Sequence, residues 1–269
     1  MKRVFSLAQL TTLTLSPPEM VALAHRCGYD VTGVRLLPSA PGGVAYPLMD
    51  QPEMLRETIA RMNDTGTRIF DLEMIRVDPQ FKVRDYLPFF EVGAKLGAKA
   101  ILVAGDDPEE ARMIDSYAQL CDAAYEFGLS CDLEFMPWTV VNNVASAARI
   151  VGAANRPGGG VLVDALHFAR CDSTLADIEA LPREWLHYAQ MCDGPLQGPN
   201  TREGLIAAAR GDRLLPGEGE LDLAALFRCL PADLPISLEV PSDRRLPELG
   251  PERWAREVLA TGQAVAATI

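Results

Sequence analysis

The sequence predicts a single (β/α)₈ barrel, one TIM-barrel domain spanning residues 1–269. Three observations predict it. Short apolar runs alternate with longer amphipathic ones eight times along the chain. The repeating unit averages about 34 residues, a length that suits a parallel sheet closing on itself. No glycine-rich phosphate fingerprint follows the first strand, where Ala8-Gln9-Leu10-Thr11-Thr12 stands, and this disfavours an open doubly wound sheet.

In chain order, strands are expected at Val4–Ala8, Val31–Leu37, Thr67–Met74, Ala100–Ala104, Leu129–Phe135, Gly160–Asp164, Leu186–Met191 and Ile236–Val240. They are short, apolar and often β-branched, as strands covered on both faces should be. Helices are expected at Pro18–Cys27, Pro52–Asn63, Val83–Leu96, Pro108–Phe127, Val141–Ala153, Thr174–Glu179, Leu223–Cys229 and Pro251–Ala266. Pro18 and Pro52 suit a first helical turn, where the missing N–H would be unpaired anyway. Gly28, Gly97 and Gly128 suit C-terminal caps that lead into the next strand.

Charge narrows the function. The net charge of −12 repels phosphate backbones and anionic lipid, which argues against nucleic acid or membrane as a partner. A few inward-facing arginines would still admit a small anionic substrate. The six cysteines (Cys27, Cys121, Cys131, Cys171, Cys192, Cys229) form no CxxC and no zinc-like spacing with histidine. They read as reduced, structural thiols of a cytoplasmic protein. Met1-Lys2-Arg3-Val4-Phe5 runs straight into a strand-like segment, and no apolar stretch approaches the roughly 20 residues of a membrane span, so a soluble chain without a signal peptide is expected.

In such barrels the chemistry sits where strands end. The third strand ends in Asp71-Leu72-Glu73, the fifth in Asp132-Leu133-Glu134-Phe135 and the sixth in Val163-Asp164-Ala165-Leu166-His167. The seventh ends in Tyr188-Ala189-Gln190-Met191-Cys192-Asp193 and the eighth in Leu238-Glu239-Val240. A charge at the end of an apolar strand is unfavourable unless paired, solvated or bound to a metal. Four consecutive strands each deliver a hard oxygen donor to one rim, and a single cation there would satisfy all four.

These residues resemble the xylose isomerase-like barrel superfamily, the sugar phosphate isomerase/epimerase group. It includes ketose 3-epimerases, inosose dehydratase, hydroxypyruvate isomerase, endonuclease IV and 3-dehydroshikimate dehydratases. The resemblance rests on the strand-five Leu-Glu, the Asp-x-x-His after strand six, the Gly-Glu-Gly loop and the strand-eight Leu-Glu. It implies metal ligands at Glu134, Asp164, Gln190 and Glu239, with His167 as a catalytic group or as support for Asp164. Gln190 departs from the histidine common in epimerases. The 3-dehydroshikimate dehydratases have glutamine there, in a segment similar to Tyr188–Pro195, and a loop similar to Arg213–Leu223.

An all-oxygen ligand set favours Mn²⁺ or Mg²⁺ over Zn²⁺, with Co²⁺ as a substitute. Three histidines cannot build the trinuclear zinc site of endonuclease IV, so a nuclease is not expected. Glu134 and Glu239 are the expected catalytic acid–base pair. Arg213, Glu73 and Trp138 are the expected substrate-binding residues, with Arg210 a lesser choice than Arg213. For Glu73, pairing with Arg35 or Arg76 is the alternative.

Three functions are consistent with this reading. One is a metal-dependent isomerase or epimerase that takes a proton α to the carbonyl of a small polyhydroxylated ketone. Another is a dehydratase of a cyclic hydroxy-ketone such as 3-dehydroshikimate. The third, of a different class, is a non-catalytic sugar-binding barrel. The resemblance also implies a homo-oligomer.

Overall fold

In the computed structural model, which describes residues 3–269, eight parallel strands pair in sequence order and β8 closes onto β1. The strands are β1 Phe5–Leu7, β2 Val31–Arg35, β3 Arg68–Val77, β4 Ala100–Gly105, β5 Ser130–Glu134, β6 Gly159–Asp164, β7 Ala189–Met191 and β8 Ile236–Leu238. All eight coincide with expected runs. β3 extends three residues past its expected end, and β7 is shorter at its start.

Alternation along each strand explains how the barrel packs. Ile101 and Val103 of β4, and Val161 and Val163 of β6, pack outward into the core shared with the helices. Ala100, Leu102 and Ala104 turn into the lumen with Leu162, Met136 and Tyr188. The outer core is sealed by large buried side chains, among them Trp254, Tyr117, Phe89 and Phe90.

Eleven α-helices surround the barrel among the described residues: α1 Pro17–Cys27, α2 Pro52–Thr65, α3 Leu87–Leu96, α4 Glu110–Tyr125, α5 Val144–Ala154, α6 Ala165–Arg170, α7 Leu175–Glu179, α8 Arg202–Gly211, α9 Leu223–Cys229, α10 Arg245–Leu249 and α11 Pro251–Ala266. Pro17 and Pro18 open α1 and Pro52 opens α2, as the sequence suggested. Gly28 and Gly97 cap α1 and α3 with φ of 87° and 68°, a region open to glycine without strain.

Four helices depart from the sequence reading, the short α10 at Arg245–Leu249 being unforeseen. The expected helix Val83–Leu96 is a 3₁₀ turn at Val83–Tyr86 followed by α3, because Pro88 suits a helix start better than a helix interior. The stretch after β7, read as a long loop carrying Arg213, contains α8, whose N-terminus is capped by Thr201 accepting from the Gly204 amide at 3.1 Å. α6 was unforeseen: Asp164 ends β6 and caps this helix by accepting the His167 amide at 2.9 Å. No helix among the described residues is long and apolar enough to cross a membrane.

Candidate functional site

The carboxyl ends of β5 to β8 converge on one buried polar cluster. Register explains it: Asp164 of β6 stands beside Gln190 of β7, which stands beside Ser237 of β8, two residues before Glu239. Glu134, Asp164, His167, Gln190, Arg213 and Glu239 are all nearly or fully buried.

Glu134, Asp164 and His167 each offer a ligand atom within 4.8 Å of the others, a grouping able to hold a metal ion. His167 Nε2 lies 3.6 Å from Glu134 Oε1, and its Nδ1 lies 3.7 Å from Asp164 Oδ1. Gln190 Nε2 donates to Glu239 Oε1 at 3.1 Å. Of the four oxygen ligands expected from sequence, Glu134 and Asp164 fall in this grouping with His167, while Gln190 and Glu239 pair with each other beside it.

Arg213 threads the same cluster. Its guanidinium donates to Asp164 Oδ2 at 2.6 Å and to Glu239 Oε2 at 2.8 Å, while Nε donates to the Ala209 carbonyl at 2.8 Å. The expected substrate-binding arginine lines the cleft, yet both terminal nitrogens are already engaged by carboxylates.

The electrostatics fit a divalent cation. Three carboxylates, Glu134, Asp164 and Glu239, face one guanidinium, Arg213, which leaves two negative charges uncompensated in a buried space. Glu134 Oε1, His167 Nδ1 and Gln190 Oε1 are buried without a hydrogen-bond partner. Native interiors rarely leave such atoms orphaned, and a cation held in the cluster would supply a missing partner.

Proton affinities carry the same strain. Burial, then the charges of Glu239 and Asp164, push Glu134 well above the usual carboxylate range despite Arg213. Burial raises Glu239 to about 7, against the pull of Arg213 and with the help of Glu73 and Asp164. Burial works to raise Asp164 as well, but Arg213 and His167 outweigh it and hold its carboxyl below the ordinary value. Burial takes His167 down to about 4, so its imidazole is neutral near pH 7.

Trp138 is half-buried and meets the His167 ring edge-on at 4.9 Å between centroids, which places it on the cleft wall. Glu73 takes the alternative named for it: Arg35 grips its Oε2, with Nε at 2.7 Å. Arg76 pairs with Asp106 instead, at 3.1 Å.

Below the cluster, sequence reasoning had assigned nothing to Asp132 or His187, which form a close pair at 2.6 Å, Nδ1 to Oδ1. Asp193 was likewise quoted only as part of a motif. Its carboxylate accepts the amides of Gly194, Gly217 and Leu221, and so folds the Gly-Glu-Gly loop. A side chain at Gly219 would strike that carboxylate, and Gly217 sits at φ 85°. The glycines of that motif shape the loop.

A family model described as xylose isomerase-like TIM barrel matches residues 21–263. A 3-dehydroshikimate dehydratase of Pseudomonas aeruginosa is 30% identical over 163 residues, which is 57% of this chain. That match covers only 25% of the relative, so the chain spans about a quarter of its length. Among solved structures, the IOLI protein with a bound zinc atom superposes with a TM-score of 0.79 at 19% identity, over 98% of both chains. A D-allulose 3-epimerase from Methylomonas sp., in complex with D-allulose, superposes with a TM-score of 0.69 at 16% identity, again over 98% of both chains. These two likenesses concern the fold.

Proposed function

Because the chain belongs to the xylose isomerase-like TIM barrel family, we propose that it is a metal-dependent enzyme of the isomerase/epimerase type acting on a small polyhydroxylated ketone. The observation that carries this reading is the convergence of Glu134, Asp164 and His167 beside the Gln190–Glu239 pair, with buried ligand atoms left unpartnered. Glu134, Asp164, Gln190 and Glu239 would hold Mn²⁺ or Mg²⁺, and Co²⁺ would substitute. The ion, when bound, would polarise a substrate carbonyl and acidify the neighbouring C–H.

The side chains then divide the proton work. Glu134 Oε1 is unengaged by any donor and serves as the base that takes the α-proton. Glu239, oriented by Arg213 and Gln190, serves as the group that returns a proton to the adjacent position or the opposite face. Neutral His167, wedged between Glu134 and Asp164 and backed by Trp138, relays a proton to or from a substrate oxygen. The test is proton exchange from D₂O into a panel of ketoses by Mn²⁺-loaded protein. Exchange that Glu134→Gln abolishes supports the reading, whereas no exchange in any ketose removes it.

A second reading, a 3-dehydroshikimate-type dehydratase, is favoured by Gln190 and by the dehydratase relative. Here the base takes the α-proton, the C–O bond to the β-hydroxyl breaks, a C=C bond forms, and the hydroxyl leaves as water with the proton the base took, relayed through His167. Protocatechuate absorbance from 3-dehydroshikimate tests it, and a fully metallated enzyme that forms none excludes it. A non-catalytic sugar-binding barrel is the outcome if both assays are silent.

A further inference from the structure

Below the cluster, the lumen holds a second set of polar atoms that the proposed chemistry does not use. Ser6 of β1, Asp71 of β3 and Ser237 of β8 are fully buried, as is Tyr188, the residue before β7. Among the described residues, the hydroxyls of Ser6, Tyr188 and Ser237 and both carboxylate oxygens of Asp71 lack a hydrogen-bond partner. Such orphans are rare in native interiors.

Register brings them together. Asp71, Tyr188 and Ser237 stand two residues before Glu73, Gln190 and Glu239, one inward step deeper on each strand. Ser6 is directly beside Ser237, and Ser237 is beside Gln190. From the other side Asp71 leans across β2, where a Cβ built on Gly33 would lie 2.6 Å from its Oδ2. Ser6 is near enough to Asp71 to strengthen its acidity, and Asp71 is the charge that acts most on Tyr188. The strands involved, β7, β8, β1, β2 and β3, are consecutive around the barrel.

Charge sets Asp71 apart. Glu73 is gripped by Arg35, Asp132 pairs with His187, and Asp164 and Glu239 share Arg213. Asp71 meets no cationic side chain among the described residues, and the charges that act on it, from Glu73, Glu239 and Asp132, are all negative. A carboxylate buried in such company calls for a proton or a positive ion.

We propose that Asp71, with the hydroxyls of Ser6, Tyr188 and Ser237, forms a second cation site, distinct from the cluster above it, that takes a monovalent ion, Na⁺ or K⁺. One carboxylate balances one positive charge, and three neutral hydroxyls add hard oxygen ligands without adding charge. A divalent ion, which favours several carboxylates, suits the upper cluster better. The N-terminal mouth of the barrel offers an entry. A cavity of about 450 Å³ there is lined by Phe70, Ala100, Ser130 and His187, and the Phe70 ring meets Tyr188 edge-on at 5.4 Å. The ion would brace the barrel whether or not the cluster above turns over a ketone.

The test is the thermal midpoint of the full chain, stripped of divalent ions with EDTA, in NaCl, KCl or choline chloride at equal ionic strength. Na⁺ or K⁺ should raise the midpoint over choline by about 2–5 °C and saturate, because only the folded lumen offers the site. The salt with the larger rise names the ion. Asp71→Asn should lose this response and keep the rise that Mn²⁺ gives in chelator-free buffer. Ser6→Ala and Tyr188→Phe, which each remove one oxygen, should need several-fold more ion for half the effect, and they decide the matter if Asp71→Asn does not fold. Equal midpoints in the three salts overturn the site, as does an undiminished response in these variants. Loss of the Mn²⁺ rise in Asp71→Asn would make the two sites one and overturns it equally.

Discussion

The outer and inner faces of the same eight strands are built on opposite rules. Outward residues pack against helices, and the polar atoms among them are satisfied. So are those of the helices that cover them: Tyr117 of α4 donates its hydroxyl to the Cys131 carbonyl at 2.6 Å, and Trp254 Nε1 of α11 donates to the Val240 carbonyl at 3.0 Å. Inward residues include Asp71, Glu134, Tyr188, Gln190 and Ser237, each with buried polar atoms that lack a partner. Burial, then Glu73 and Glu239, push the Asp71 carboxyl well above its ordinary range. The outer face supplies stability, and the lumen uses some of that stability to keep reactive groups unsatisfied.

The largest expected effect comes from the lumen. Glu134→Gln should lower turnover by about 10³-fold or more while the thermal midpoint holds or rises, because a near-isosteric change removes a buried like-charge conflict. Exchange kinetics and calorimetry on one preparation check both halves, and a variant that unfolds would erase the contrast between the faces.

On the outer face, Trp254→Ala should cost about 3–5 kcal/mol in denaturant unfolding with activity per folded molecule unchanged. Lost activity at a temperature where the variant stays folded would tie this shell to the chemistry.

A smaller effect sharpens the comparison through pH. Burial raises Glu239 to about 7 from a usual 4.5, so the folded chain binds this proton more tightly than the unfolded chain does. Stability from this group is present below pH 4.5 and is lost as pH rises toward 7. Glu134 shifts in the same direction. A cation would relieve that loss, so the rise in Tm on adding Mn²⁺ should be greater at pH 8 than at pH 5. An equal rise at both would contradict the electrostatic account of the lumen. Smallest of all, Trp138→Leu should lower kcat a few-fold, since it removes an edge contact of about 1 kcal/mol that backs His167.

Much of this was legible in the sequence for a physical reason. Strands such as Ala100–Gly105 and Gly159–Asp164 are apolar on both faces, so their ends stand out wherever a carboxylate appears. That rule marked the ends that carry Glu134, Asp164 and Glu239, along with Asp71 and Asp132, and the resemblance chose among them. α8 escaped it because Pro195, Gly198 and Pro199 precede the helix and read as loop, although Thr201 and the run Leu205–Ala209 carried the signal. Rules about strand ends also say nothing about a side chain that follows a helix. Arg213 and Arg210 lie three residues apart, yet only folding shows that the first is clasped by carboxylates and the second is free. His167 was visible by its spacing from Asp164, but its approach to Glu134 depends on α6 turning it back over the mouth.

The Asp193 carboxylate has a further consequence. It clasps backbone amides at Gly194 on one side of an excursion and at Gly217 and Leu221 on the other. The span between is thereby an exchangeable module with matched ends, since its base stays pinned whatever its length. That module carries both Arg210 and Arg213. Its length could change without disturbing the pairing of β7 with β8.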